Sequence, residues 1–204
     1  MKAVFLDRDG VINRKAAEGD YVTRWRDFQV LPGVVEGIAQ LNRAGFCVIV
    51  VTNQRCIAKG LMTTTELELM HQRMTEVLAL GGATIDAIYY CPHETEPPCR
   101  CRKPAPGMLL DAGRDHRIDF SASWMIGDSD ADIEAGKNAG CKTAKLSVGK
   151  EVGSAMKPVR SASICADIVA PSLLNAVDQI LRREKSTGLL TETTLHRNLR
   201  NARA

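Results

Sequence analysis

The feature that most constrains the fold is a short apolar run that ends in two aspartates and a glycine turn. The segment FLDRDG covers residues 5–10 and contains Asp7 and Asp9. Residues i and i+2 of a strand share a face, so both carboxylates can reach one substrate atom. Ligands of open α/β sheets bind at these carboxyl ends of the strands. Taken alone, the segment fits a reaction centre and a plain Asp-Gly turn about equally well.

Further segments downstream decide between these two interpretations. The apolar run over 46–51 ends at Thr52, and the run over 123–126 ends just before Asp128. The basic segment RKP, which contains Lys103, lies between them. In this order the aspartate pair, the hydroxyl, the lysine and the GDSDAD segment resemble the motifs of the haloacid dehalogenase superfamily of aspartate-nucleophile phosphatases.

The residue types also fit phosphate monoester hydrolysis, which needs a nucleophile, a proton donor and positive charge for the phosphoryl oxygens. Asp7 would attack phosphorus and form an aspartyl phosphate. Asp9 would protonate the leaving oxygen and then deprotonate the hydrolytic water. Thr52 and the backbone N–H of Asn53 would donate hydrogen bonds to the transferring phosphoryl group, with Lys103 as a fixed positive charge.

Carboxylates in the same motifs predict a magnesium site. Asp7 and Asp128, together with the backbone carbonyl of Asp9, offer the oxygen ligands that Mg²⁺ prefers. Asp132 is predicted not to bind the metal directly, and instead to orient metal-bound water or Lys103.

A second cluster of metal-ligating residues precedes Lys103. Cys91, His93, Cys99 and Cys101 fall within eleven residues and match a Cys₃His zinc site. A disulfide and unrelated free thiols are the alternatives, but a reducing cytosol favours metal. Four protein ligands leave no open coordination position, so we expect a structural Zn²⁺ that orders the loop beside the active site.

The strings FLDRDGVIN, VVTNQ, IYYCPH and CRKPAPGMLL resemble one branch of the superfamily in particular. That branch contains the heptose-1,7-bisphosphate 7-phosphatases and the histidinol-phosphate phosphatases. Arg55 and Cys56 stand where the heptose enzymes often have a Ser-Gly pair. The resemblance implies that the substrate touches Glu18, Gly19, Asp20, Tyr21, Asn53, Gln54, Arg55 and Arg102.

The resemblance implies a Mg²⁺-dependent phosphatase that removes the 7-phosphate of a heptose 1,7-bisphosphate in the synthesis of nucleotide-activated heptose. Histidinol phosphate and other small phosphorylated sugars are alternative substrates. A phosphotransferase with the same aspartyl phosphate is a rival from another class, as is a non-catalytic zinc-stabilised binding module. The complete set of polar residues in the motifs argues against the binding module.

Hydrophobic periodicity predicts alternating strands and helices, which form a doubly wound parallel α/β sheet with helices on both faces. The predicted strands cover 3–6, 46–51, 86–90, 123–126, 142–146 and 167–169. The predicted helices cover 33–44, 63–80, 105–116, 130–139 and 171–184. Thr63 and Glu66 predict a capping box, and Asp130 is interpreted as a helix cap. No segment is long enough for a large cap domain, so the loop over 14–29 and the zinc loop over 91–101 must shape the entrance.

Length and composition predict one phosphatase domain over 1–184 and a polar tail over 185–204. A net charge of +3 with 4% aromatic residues argues against nucleic-acid binding. The run before Asp7 is too short for a signal peptide, and no stretch approaches the roughly twenty apolar residues of a membrane span. We therefore expect a cytoplasmic protein that acts on small anions, and the short entrance loops favour a monomer.

Overall fold

The structure is a computed structural model that describes residues 1–147 and 165–186. Six strands lie in it: β1 (Ala3–Leu6), β2 (Cys47–Asn53), β3 (Ala87–Cys91), β4 (Trp124–Gly127), β5 (Lys142–Leu146) and β6 (Ile168–Ala170). The helices are α1 (Val34–Arg43), α2 (Thr64–Leu80), α3 (Gly107–His116), α4 (Asp130–Ala139) and α5 (173–186). Two short 3₁₀ helices cover Trp25–Asp27 and Phe120–Ala122.

The six strands form one parallel sheet in the order β3-β2-β1-β4-β5-β6. β1 lies between β2 and β4, and the chain winds outward from it in both directions. The carboxyl ends of β1 and β4 therefore flank the point where the winding direction reverses. In doubly wound sheets this crevice is where ligands bind.

The sheet is buried on both faces, as an all-parallel sheet requires. Side chains of β1 alternate: Val4 and Leu6 pack with α1, α2 and α5, whereas Ala3 and Phe5 pack with α3 and α4. Each strand thus contributes to two apolar clusters. This arrangement confirms the predicted doubly wound α/β fold.

Each predicted helix and strand is present in the described residues, and most ends differ by one or two positions. α3 begins at Gly107 rather than at 105, because the chain before it turns against the zinc loop. The N–H of Gly107 donates to the carbonyl of Arg100 at 3.0 Å. A Cβ on Gly107 would lie 2.1 Å from that carbonyl oxygen, so only glycine fits this close approach.

The predicted capping box of α2 is confirmed. The Thr63 hydroxyl accepts from the Glu66 N–H at 3.2 Å, and the Glu66 carboxylate accepts from the Thr63 N–H at 2.8 Å.

The interpretation of Asp130 as the cap of α4 is wrong. Ser129 caps α4 together with Asp132, and Asp130 instead forms an ion pair with Lys145 on β5.

The division into a domain over 1–184 and a tail over 185–204 stays a prediction, because residues 187–204 lie outside the described residues. α5 continues to 186 within them. Over the two described ranges, no helix combines the length and hydrophobicity needed to cross a membrane.

Candidate active site

A cavity of about 250 Å³ opens at the carboxyl ends of β1, β2 and β4. The four sequence motifs that were predicted to form a site all meet there. The lining residues are Asp7, Asp9, Lys15, Ala16, Asp20, Tyr21, Val22, Thr52, Asn53, Gln54, Arg102, Lys103, Asp128, Ser129 and Asp132. Residues from the loop over 14–29 form one wall, as the absence of a large cap led us to expect.

Apart from the zinc ligands, most of the predicted site residues line this cavity, and three do not. Gly19 lies in an adjoining cavity that shares Asp20 and Tyr21 with the first. Glu18 is exposed outside both cavities. Arg55 forms an ion pair with Glu94 of the zinc loop.

Lys103 is buried at the centre of the site and holds two carboxylates. Its Nζ lies 2.9 Å from Asp7 Oδ1 and 2.6 Å from Asp132 Oδ1, and it donates to the Val51 carbonyl at 2.7 Å. Three acceptors thus match the three N–H groups of an ammonium. Asp132 is one of the three acceptors that hold the ammonium, and its predicted role of orienting Lys103 stays a prediction.

Burial shapes the protonation of this group of charges. Burial raises the pKa of Asp7 to about 7, although Lys103 opposes the shift. Burial acts to lower the pKa of Lys103, but Asp132 and Asp7 outweigh it and the pKa is raised. The ammonium therefore stays charged, and the Asp7 carboxylate depends on nearby positive charge to remain ionised.

Asp9 is surrounded by hydrogen-bond donors. Its Oδ1 accepts from Asn13 Nδ2 at 2.9 Å, its Oδ2 accepts from Gln54 Nε2 at 3.0 Å, and Arg8 binds both oxygens. Burial acts to raise the pKa of Asp9, but Arg8, Asn13 and Gln54 outweigh it and hold the pKa below its usual value. The resting site therefore contains an ionised Asp9.

The loop that carries Lys103 is tied to β2 by one side chain. The amide of Asn53 donates through Nδ2 to the Lys103 carbonyl at 3.1 Å and accepts through Oδ1 from the Lys103 N–H at 3.1 Å. This pair of bonds holds the backbone of the lysine at the end of the strand. The backbone N–H of Asn53 is the group that is predicted to contact substrate. The two hydrogen bonds to Lys103 use the side-chain amide instead and do not involve this N–H.

Asp7 and Asp128 fit a hard divalent cation, and the carboxylate of Asp132 lies beside them. One carboxylate oxygen from each lies within 4.8 Å of the others. The buried Oδ1 of Asp128 has no hydrogen-bond partner within the described part of the chain, while its Oδ2 accepts from Lys15 at 2.8 Å. A buried carboxylate oxygen without a donor favours a metal ligand, since unpaired polar atoms are costly. The donor set is the one that Mg²⁺ prefers.

The cysteine and histidine cluster fits a tetrahedral metal. Cys91 Sγ lies 3.6 Å from Cys99 Sγ and 3.3 Å from Cys101 Sγ, and His93 Nδ1 lies 3.2 Å from Cys101 Sγ. Ligands on a tetrahedral Zn²⁺ at about 2.3 Å are separated by about 3.8 Å, and the cluster is slightly tighter than that. No disulfide joins these cysteines.

We expect Cys99→Ser to remove most of the zinc and to lower the melting temperature, because three ligands bind Zn²⁺ more weakly and the loop loses its crosslink. Activity should fall as well, since Cys101 precedes Lys103 by two residues. Metal content by mass spectrometry and thermal unfolding by circular dichroism measure both effects. Cys47→Ser, which changes a thiol outside the cluster, is the matched control. Freshly purified protein without zinc would contradict the site.

Sequence reasoning missed two residues at the cavity and its base. Lys15 reaches Asp128 from the entrance loop, and no periodicity marks such a loop position. Arg8 lies between the two motif aspartates and is fully buried, which a surface interpretation of arginine would not predict. Its position between Asp7 and Asp9 was the only available signal.

The chain is similar to known phosphatases along most of its length. The HAD-hydrolase-like family model matches residues 100–176. The D-glycero-beta-D-manno-heptose-1,7-bisphosphate 7-phosphatase of Pseudomonas aeruginosa is 39% identical over 167 residues, which cover 82% of this chain and 93% of the relative. The D-glycero-alpha-D-manno-heptose-1,7-bisphosphate 7-phosphatase of Mycobacterium tuberculosis is 41% identical over 136 residues, which cover 66% of this chain and 71% of the relative.

A solved structure gives the same result. The D,D-heptose 1,7-bisphosphate phosphatase from B. bronchiseptica, complexed with magnesium and phosphate, superposes with a TM-score of 0.75 at 32% identity. The match covers 90% of this chain and 99% of that one. The chain therefore belongs to the haloacid dehalogenase-like hydrolases and, within them, to the family of the heptose-1,7-bisphosphate 7-phosphatases.

Proposed function

We propose that this chain hydrolyses the 7-phosphate of D-glycero-D-manno-heptose 1,7-bisphosphate through an aspartyl phosphate on Asp7. The observation that carries the proposal is the arrangement of Asp7, Asp9, Thr52 and Lys103 around one cavity at the switch point of the sheet. Relatives that carry this activity in their names span nearly the same length. The product belongs to the synthesis of nucleotide-activated heptose for surface glycans.

In the first half of the reaction, a carboxylate oxygen of Asp7 attacks phosphorus and the bond to the sugar oxygen breaks. Lys103 neutralises charge on the phosphoryl oxygens, and its contacts to Asp132 and Val51 keep it in place. The Thr52 hydroxyl and the backbone N–H of Asn53 are the proposed donors to the same oxygens. Because these groups are preorganised, they need no rearrangement as the charge develops.

Asp9 moves the protons in both halves of the reaction. It gives a proton to the leaving sugar oxygen and later takes one from the water that attacks the aspartyl phosphate. The donors around Asp9 hold it ionised in the resting site, which suits the second step. A bound phosphate dianion repels that charge and raises the pKa of Asp9, so the carboxyl can carry the proton needed in the first step.

Asp7, Asp128 and the backbone carbonyl of Asp9 would hold a magnesium ion, whose positive charge would keep Asp7 ionised and offset its repulsion with the phosphate. The proposed role of Asp132 is to fix Lys103 rather than to bind the ion itself. The Cys₃His cluster would hold a zinc ion, which would order the loop that carries Arg102 and Lys103.

The entrance wall offers contacts for a sugar with a second anionic group. Asp20 and Tyr21 can bind hydroxyls, and Lys15 and Arg102 supply positive charge at the cavity. Arg102 has a planar guanidinium suited to binding an anion, and its Nη1 donates to the His93 carbonyl over a long contact of 3.4 Å. We also propose a monomer that acts in the cytoplasm, where zinc-bound thiols stay reduced.

The test compares phosphate release with Mg²⁺ from the alpha and beta anomers of heptose 1,7-bisphosphate and from histidinol phosphate at equal protein concentration. We expect one heptose anomer to be preferred over histidinol phosphate by about a hundredfold in kcat/KM, roughly 2.7 kcal/mol in transition-state binding. Preference for histidinol phosphate would overturn the substrate assignment. No release from any of the three would overturn the proposed function.

A further inference from the structure

Arg8 is a charged residue with no exposure, although it lies beside the active site. Arginine is almost never fully buried unless its charge is paired. One edge of the guanidinium faces Asp9: Nη2 donates to Oδ1 at 3.0 Å and to Oδ2 at 2.9 Å. The guanidinium thus fixes the plane of the carboxylate that is proposed to transfer protons.

The opposite edge of the guanidinium faces α2. Nη1 lies 3.3 Å from His71 Nε2 and 3.9 Å from Met70 Sδ. A guanidinium can only donate, so His71 Nε2 must be the unprotonated acceptor of a neutral ring. Burial and Arg8 also lower the pKa of His71 to about 3, in agreement with a neutral imidazole.

His71 does not line the active-site cavity. It is 95% buried on α2, and its ring lies 6.0 Å from that of Tyr90, centroid to centroid. The ring of Phe28 lies 5.9 Å from the Arg8 guanidinium carbon. A packed histidine therefore touches the arginine, and the arginine touches Asp9.

We propose that His71 is a positioning residue for Asp9 and acts through the buried guanidinium of Arg8. The inference rests on the proposed function, because it assigns His71 to the proton-transfer step. Without an acceptor at His71, one buried N–H of Arg8 loses its partner, which is costly. The guanidinium then turns, and the Asp9 carboxylate loses its fixed orientation.

Two amide substitutions test the proposal. Gln at position 71 places its side-chain oxygen near the position of His Nε2, whereas Asn has the same chemistry but is too short to reach Arg8. We expect His71→Asn to lower kcat for the heptose bisphosphate about tenfold, with KM within about twofold, and His71→Gln to recover most of that loss.

Two further readouts separate positioning from a general structural role. The leaving group of p-nitrophenyl phosphate departs without a proton. The rate at which this substrate phosphorylates Asp7 should therefore be the same in His71→Asn and in the unmodified protein, within about twofold. When Asp9→Asn is already present, adding His71→Asn should not lower the single-turnover rate of the heptose bisphosphate further. The reason is that the carboxylate that His71 is proposed to orient is no longer there.

Three outcomes would overturn the inference while the proposed function stands: normal kcat in His71→Asn, equal losses in the Asn and Gln variants, or independent effects of the substitutions at positions 9 and 71. If the unmodified protein turned over neither the heptose bisphosphate nor p-nitrophenyl phosphate, this result would instead overturn the proposed function and, with it, the inference. Thermal unfolding of the two variants confirms that they are compared in the folded state.

Discussion

Asp7→Asn is expected to abolish turnover, lowering kcat by at least about 10⁴-fold, because an amide cannot attack phosphorus.

The fold of Asp7→Asn should remain, since the amide keeps the size of the carboxylate and can still accept a hydrogen bond from Lys103. The folded-state pKa of Asp7, about 7, lies above its ordinary value of 3.8, so ionised Asp7 costs stability that grows as pH rises through this range. Metal-free Asp7→Asn should therefore melt no lower than the unmodified protein at pH 8. Phosphate release and circular dichroism measure the two effects.

Asp130→Asn is the matched control for this experiment. It changes the same functional group, but Asp130 pairs with Lys145 and does not line the cavity. Its activity should equal that of the unmodified protein. Substantial activity in Asp7→Asn, beyond that of a mock purification, would remove the nucleophile assignment.

Asp9→Asn is expected to separate the two halves of the reaction. An alkyl phosphate needs a proton on its leaving oxygen, so single turnover of the heptose bisphosphate should fall about 10³-fold. p-Nitrophenyl phosphate needs no such proton, so Asp7 is phosphorylated at nearly the normal rate. The aspartyl phosphate then accumulates, because no base activates the water.

Rapid mixing of Asp9→Asn with p-nitrophenyl phosphate should therefore show a burst of about one nitrophenolate per active site. Further nitrophenolate should then be released slowly, at the rate at which the aspartyl phosphate is hydrolysed. The unmodified protein, measured at the same concentration, should show a much smaller burst relative to its steady rate. Equal losses for both substrates without a burst would show that Asp9 does not act as the acid and base.

The sequence was sufficient to predict the sheet and the chemistry at its edge, because both depend on local patterns. Continuous apolar runs predict strands that end near Asp7 and Thr52, and parallel strands bring those ends together. The Cys₃His cluster is likewise visible from spacing within a single loop. Helix and strand ends were less well predicted because turns such as the one before Gly107 depend on a tertiary contact.

The residues that orient the catalytic groups could not be predicted in the same way. His71 lies on a regular apolar face of α2, and nothing in its local sequence indicates that Arg8 lies opposite. The two bonds from the Asn53 amide to the backbone of Lys103 join residues fifty positions apart. Such contacts follow from the packing of α2 and the zinc loop against the sheet, which only the three-dimensional structure provides.

The most direct test of the central claim is phosphorus NMR of heptose 1,7-bisphosphate during turnover with Mg²⁺. The two phosphates differ in chemical environment, since one is attached to the anomeric carbon and the other to a primary carbon. We expect the signal of the 7-phosphate to be replaced by inorganic phosphate while the anomeric signal persists, leaving heptose 1-phosphate. Loss of the anomeric phosphate first, or persistence of both signals, would contradict the assigned reaction.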